Sequence, residues 1–292
     1  MVFPIQSIVI CLALLLSSWF DIKTREVPDT LSYTFITTGL VYSAIGTIVA
    51  YNYTILLSSL LGFILMLLIS LGLFYTGQWG GGDSKLLMGV GAWLGLNYTN
   101  LSSTPALAIF LLNLVLIGGL YGLFWALLLI IRHRVKFVEE YLVLVKSYLK
   151  LRAGLLCLAL LMVILALALP IDARFRLLFC LLALLAIIGF HLWVGVKAIE
   201  KACFYKRISP KELTEGDWVV EPVIVNGKEI VKVKDFGVTK EQIQKLIELE
   251  GKGKLKSVVV KEGIPFVPSL LLAYITTLLF QNWVWGLFMG FY

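Results

Sequence analysis

The chain has 292 residues, of which 60% are hydrophobic and only 15% are charged. Soluble globular domains are roughly 45–50% apolar and about 25% charged, so the composition excludes an ordinary soluble protein and indicates an integral membrane protein. The formal net charge of +7 does not indicate a nucleic-acid partner, because membrane proteins collect Lys and Arg in their cytoplasmic loops.

Apolar segments follow one another along most of the chain. A run of about 20 apolar residues spans a hydrocarbon core about 30 Å thick. The segments are 3–20, 31–50, 54–76, 85–97, 105–131, 153–170, 174–196 and 266–290. The fourth is short, so it must tilt, thin the bilayer or border a water-filled cavity. We predict an α-helical polytopic membrane protein with about eight transmembrane segments in contact with the lipid bilayer, and with a small cytoplasmic α+β domain.

The distribution of charges gives the orientation of these segments. The first charged residues, Asp21, Lys23 and Arg25, follow the first apolar run, which indicates a retained first helix with its N-terminus outside. Strict alternation then places four connections in the cytoplasm, and these hold most of the Lys and Arg residues. They are 21–30, 77–84, 132–152 and 197–265. The sequence thus predicts a multi-pass protein of the cell membrane.

We divide the chain into four parts. They are a membrane core at 1–131, a basic cytoplasmic loop with an additional transmembrane hairpin at 132–196, a small cytoplasmic α+β domain at 197–265, and a C-terminal transmembrane helix at 266–292. In the polar domain, Asn226-Gly227 predicts a hairpin turn, and Thr239 with Gln242 predicts a capped helix. "LKSVVV" supplies a third strand. We interpret this ββαβ unit as a docking or stabilising domain rather than a catalytic one.

Two acidic residues stand at the predicted cytoplasmic ends of membrane helices. Asp21 ends the first segment, and Asp83 begins the fourth. Ionisable groups that border a bilayer are costly, so they are candidates for function. An alternative for Asp21 is also open, in which it only marks the end of a helix at the membrane interface. Both residues are nevertheless candidates for the same site, because they fall on the same predicted face of the membrane.

Three successive glycines, Gly80, Gly81 and Gly82, precede Asp83. Each glycine costs about 1 kcal/mol relative to alanine in a helix, so helix propensity does not explain them. Glycine does permit unusual backbone angles and the close approach of another backbone, so we expect an extended peptide to lie beside Asp83. Farther on, Gly91 and Gly95 form a GxxxG pattern that predicts close packing against another helix.

A pair of carboxylates can perform acid–base chemistry without further help. Like charges in proximity cause such a pair to hold one proton. The ionised member takes a proton from water as the water attacks a peptide carbonyl, and the protonated member polarises that carbonyl. The choice of which aspartate carries the proton stays open. We predict no cofactor and no metal, and the four cysteines form no CxxC pair of a zinc site.

At these residues the sequence resembles a known family. "GGGD" matches the GxGD motif of intramembrane aspartyl proteases, which include presenilins and type IV prepilin peptidases. "FDIKTREVPDTLSY" is similar to the prepilin-peptidase pattern of an Asp that ends the first helix, basic residues, and an (Ile/Val)-Pro-Asn-x-Leu-like turn. In this alignment Lys23 and Arg25 are the basic residues, and Pro28 begins the turn.

The alignment also distinguishes between acidic candidates. Asp29 occupies the slot usually filled by Asn and is therefore a rival to Asp21. Because Asp29 directly follows Pro28, it aligns with the turn residue of the family. Asp21 then aligns with the catalytic aspartate of the family. Lys85 matches an Asp-x-Lys pattern of this family, which implies an electrostatic role for its ammonium group. An equal alternative is that the Lys85 side chain only extends to the membrane interface.

The resemblance implies a function. "VKEGIPFVPSLLLAYI" is similar to the C-terminal region of archaeal preflagellin (prearchaellin) peptidases, so an archaeal member is expected. Such an enzyme cleaves class III signal peptides of prepilin-like or prearchaellin precursors at the cytoplasmic face, with Asp21 and Asp83 as catalytic residues. The alternatives are a transporter or channel that uses these aspartates to relay ions or protons, and a non-catalytic pilus or archaellum assembly factor.

Overall fold

The computed structural model describes residues 4–98, 105–225, 228–231, 237–280 and 283. Within them, six helices are long and apolar enough to cross a membrane. The prediction of a polytopic helical membrane protein is therefore confirmed. The chain divides into two compact units, one formed by residues 1–125 with 264–292 and the other by 126–263.

The first unit is a bundle of apolar helices. Its elements are α1 (Pro4–Thr24), α2 (Asp29–Ala50), α3 (Thr54–Tyr75), α4 (Gly81–Leu94), the part of α5 (Ala106–Arg132) up to Trp125, and α10 (Val267–Phe280). Its core contains fully buried side chains from α1, α4, α5 and α10, among them Ile10, Leu86, Phe110 and Tyr274. The end of the predicted last segment, 281–290, lies outside the described residues apart from residue 283.

Helix α4 is short and largely enclosed by protein. Its 14 residues extend only about 21 Å, and most of them are buried, against α2 and α3 among others. Ser59 Oγ donates a hydrogen bond of 2.5 Å to the Ala92 carbonyl oxygen across the α3–α4 contact. A methyl group added to Gly62 of α3 would lie 2.8 Å from Gly95 Cα. The predicted close packing at Gly91 and Gly95 is therefore present.

The second unit contains a helical part and a small polar part. The helices are the end of α5, α6 (Arg134–Ser147), α7 (Leu149–Ala168) and α8 (Ala173–Ile199), which continues as a π-helical turn at Glu200–Phe204. Helix α6 lies where a basic loop was predicted. It forms because Phe137, Tyr141 and Leu144 share one face and pack in a cluster with Phe190 and Val194 of α8.

In the polar part, the described residues form five strands and one α-helix. They are β1 (Tyr205–Ile208), β2 (Trp218–Val219), β3 (Val223–Val225), β4 (Lys228–Val231), α9 (Lys240–Gly251) and β5 (Val258–Lys261). The capping box is confirmed, since Gln242 N–H donates to Thr239 Oγ1 at 3.3 Å and Thr239 N–H donates to Gln242 Oε1 at 2.9 Å.

The predicted ββαβ succession is present as β3, β4, α9 and β5, but its strands belong to two different sheets. β5 is the centre of a three-stranded antiparallel sheet of order β1-β5-β2, while β3 and β4 form a separate hairpin. Three successive valines suit β5 for this central position, because β-branched side chains fit a pleated, half-buried surface. Strand β1 was not predicted. The predicted hairpin turn at Asn226-Gly227 lies outside the described residues.

Candidate active site

Asp21 is a buried carboxylate near the C-terminal end of α1. Asp21 is only 7% exposed. Its Oδ2 atom accepts a hydrogen bond of 2.9 Å from the backbone N–H of Val267, the first residue of α10. We expected Asp21 to end the first helix, but α1 continues to Thr24. The helix ends where Arg25 adopts a left-handed backbone, with φ of 61°. The extra turn places Asp21 inside the bundle rather than at its edge.

Asp83 lies in the first turn of α4 and is half-buried. Its Oδ2 accepts a hydrogen bond of 3.3 Å from the backbone N–H of Gly80. The N-terminus of a helix also favours a negative charge through its dipole. The carboxylate of Asp21 is near enough to Asp83 to act on it electrostatically. Helices α1 and α4 are also in contact, so the two aspartates that the sequence predicts to form one site lie on neighbouring helices.

The three glycines before Asp83 have different environments. Gly80 is extended, with φ of −75° and ψ of 165°, whereas Gly81 and Gly82 belong to the first turn of α4. None of these three has a positive φ. The extended and helical conformations observed are open to any residue. Close approach does occur at Gly82, where an added methyl group would lie 3.3 Å from Val27 Cβ.

Asp29 and Lys85 form an ion pair with each other. Lys85 Nζ lies 2.5 Å from Asp29 Oδ1, and it also lies 5.0 Å from the centroid of the Tyr33 ring. The side chain of Asp29 is 64% exposed, in contrast to the buried Asp21. Among the acidic candidates, Asp21 is therefore the one whose burial and electrostatic contact with Asp83 fit a shared site. The Lys85 ammonium is engaged by Asp29 at the start of α2.

The other residues singled out in the sequence surround the connection from α1 to α2. The guanidinium of Arg25 lies 5.7 Å from the centroid of the Trp125 ring, and Arg25 acts electrostatically on Asp21. The Pro28 carbonyl oxygen accepts hydrogen bonds from the backbone N–H groups of Leu31 and Ser32 in the first turn of α2. Lys23 is exposed. Of these residues, Arg25 is the one with an electrostatic contact to a site carboxylate.

The sequence reasoning did not assign site residues to the C-terminal part of the chain. Val267 nevertheless supplies the hydrogen bond to Asp21, and Phe266 packs against Trp79 with ring centroids 5.2 Å apart. Tyr121 OH donates a hydrogen bond of 2.8 Å to the Pro265 carbonyl oxygen. A local signal existed, because the two prolines of "IPFVPS" mark the start of an apolar helix.

Comparison with known proteins finds a family and several relatives that resemble this chain. Residues 8–129 match the model of the type IV leader peptidase family, and this range includes both Asp21 and Asp83. A preflagellin peptidase of Methanocaldococcus jannaschii is 30% identical over 118 residues, which cover 36% of this chain and 50% of the relative. The resemblance found in the motifs is therefore confirmed.

Two further relatives match shorter parts of the chain. A preflagellin peptidase of Methanococcus maripaludis is 32% identical over 88 residues, or 30% of this chain and 38% of the relative. One of Methanococcus voltae is 37% identical over 81 residues, or 28% of this chain and 34% of the relative. The chain thus spans half or less of the length of each of these relatives.

Proposed function

Since residues 8–129 match the type IV leader peptidase family, we propose that this chain is a membrane aspartyl endopeptidase. Its substrates are prepilin-like or prearchaellin precursors, from which it removes class III signal peptides. The observation that carries the proposal is the contact between α1, which carries the buried Asp21, and α4, which carries Asp83 in its first turn. The names of the relatives, preflagellin peptidases, support the substrate class.

In the proposed mechanism, Asp21 and Asp83 act as one unit that shares a proton. The ionised carboxylate accepts a proton from a water molecule as its oxygen attacks the carbonyl carbon of the scissile peptide. The protonated carboxyl group donates a hydrogen bond to the carbonyl oxygen. A proton then passes to the departing amine as the C–N bond breaks. Each step uses only the two aspartates, water and the substrate, so the mechanism needs no cofactor.

We further propose that the site faces the cytoplasm. The connection that follows Asp21 carries Lys23 and Arg25, and cytoplasmic connections are the ones enriched in basic residues. Class III precursors present a basic segment at this face, followed by an apolar helix. The scissile bond of a bound precursor then lies close to the membrane surface, at the depth of Asp21 and Asp83.

Sequencing of reaction products tests the proposal directly. Membranes containing the full chain are incubated with prearchaellin and prepilin-like precursors, and the new N-terminus of each product is determined. We expect cleavage between the basic segment and the apolar helix, and no cleavage by membranes that lack the chain. Intact precursors after incubation with folded protein would contradict the assignment and favour a transport or assembly role.

Asp29→Asn is expected to leave cleavage within about fivefold of the wild-type rate. Asp29 is exposed, and its ion pair with the half-buried Lys85 is open to solvent on the Asp29 side, so screening by water keeps its contribution small. The measurement is the initial rate of precursor cleavage at equal amounts of membrane protein. A loss as large as that of Asp21→Asn would instead make Asp29 the partner of Asp83.

A further inference from the structure

Residues 265–267 contact α1, which carries Asp21, and the loop that leads into α4, which carries Asp83. The N–H of Val267 donates its 2.9 Å hydrogen bond to Asp21 Oδ2 on α1. The ring of Phe266 lies 5.2 Å from the ring of Trp79, which precedes the glycines that lead to Asp83. This short segment therefore connects Asp21 with the loop that enters α4.

Helix α5 holds the segment from the other side. Tyr121 OH donates a hydrogen bond of 2.8 Å to the Pro265 carbonyl oxygen. Gly118, about one turn earlier on α5, makes room for the Phe266 ring, since an added methyl group would lie 3.1 Å from Phe266 Cζ. These contacts fix Pro265 and Phe266 immediately before the residue that binds Asp21.

The Val267 N–H is available because of its position in α10. N–H groups in the first turn of a helix have no acceptor within that helix. A hydrogen bond from such a group to an ionised carboxylate is stronger than one between neutral groups. Asp21 is also buried, so little water competes for its Oδ2 atom. The bond therefore selects one orientation of the carboxylate.

We infer that residues 265–267 are a positioning element that orients Asp21 toward Asp83, and that Tyr121 is a positioning residue that acts through Pro265. The inference rests on the proposed function, because it requires the two aspartates to act together. Tyr121 and Val267 do not take part in the bond changes. They determine whether the carboxylate is in place when the water attacks, and small displacements of catalytic groups slow reactions strongly.

Val267→Pro and Val267→Ala form the matched pair that tests this role. Proline lacks the N–H but is accepted at the first position of a helix, whereas alanine keeps the N–H and removes only packing. Steady-state cleavage is measured with the full chain in detergent, using the precursor identified by product sequencing. We expect kcat of Val267→Pro to be about 10- to 100-fold below that of Val267→Ala, with KM within about threefold.

Tyr121→Phe is the milder variant and removes only the hydroxyl group that binds the Pro265 carbonyl oxygen. We expect kcat to fall about fivefold with KM unchanged, in keeping with the loss of one hydrogen bond between neutral groups. A loss of packing alone would lower the amount of folded enzyme rather than the turnover of each folded molecule. Active enzyme is therefore counted from the monodisperse fraction after gel filtration.

The outcomes separate this inference from the proposed function. Equal kcat for Val267→Pro and Val267→Ala, while Asp21→Asn is inactive, would overturn the positioning role and leave the peptidase assignment intact. Full activity of Asp21→Asn would overturn the assignment itself. If Val267→Pro does not accumulate in membranes, Tyr121→Phe decides the matter, and a wild-type kcat in that variant would overturn the inference.

Discussion

Asp83→Asn is expected to reduce precursor cleavage by at least about 10³-fold, and Asp21→Asn by a similar factor. An amide cannot accept a proton from the attacking water, and it cannot share a proton with the remaining carboxylate. The change is nearly isosteric, so Gly80 and Val267 keep an oxygen to bind at these positions. The measurement is the initial rate of cleavage by variants that accumulate in membranes to wild-type levels.

The double variant sharpens this test. Residues that act as one catalytic unit have strongly non-additive effects, so Asp21→Asn combined with Asp83→Asn should be no slower than either single variant. Asp29→Asn is the matched control, because it makes the same chemical change at an exposed aspartate of the same unit. Residual activity above about a tenth of wild type in either single variant would rule out the dyad.

The membrane helices could be predicted because their signal is local. Each apolar run reports directly on burial in lipid or protein, and the capping residues Thr239 and Gln242 lie within one turn of each other. Helix α6 was missed because its charged residues were read as those of a loop. The spacing of Phe137, Tyr141 and Leu144 at i, i+4 and i+7 was the helical pattern that could have identified it.

The site could be predicted only in part, because its geometry depends on contacts between distant segments. The motifs around Asp21 and Asp83 singled out both carboxylates of the proposed site. The bond from Val267 to Asp21 joins residues 246 positions apart, and no local pattern specifies such a pairing. The close approach at Gly82 likewise involves a distant residue, Val27, which belongs to the connection after α1.

Gly62→Ala is expected to disrupt the bundle and to abolish most of the activity. The added methyl group would lie 2.8 Å from Gly95 Cα and closer still to the Gly91 carbonyl oxygen, and both partners are backbone atoms that cannot rotate away. Helices α3 and α4 must therefore separate, at a cost of about 1–3 kcal/mol for such overpacking. Since α4 carries Asp83, a shift of about 1 Å also slows cleavage about 10²-fold.

Gly72→Ala is the matched control for this prediction. Gly72 lies on the same helix α3, but a methyl group added there meets no atom of the described residues within 4 Å. Alanine is the better helix former by about 1 kcal/mol, so this variant should be as stable as wild type or slightly more stable. Thermal unfolding of both variants in detergent and their cleavage rates are compared. The two variants differ only in what the added methyl group meets. Equal unfolding midpoints and equal cleavage rates for both would therefore show that the close contact between α3 and α4 is not required.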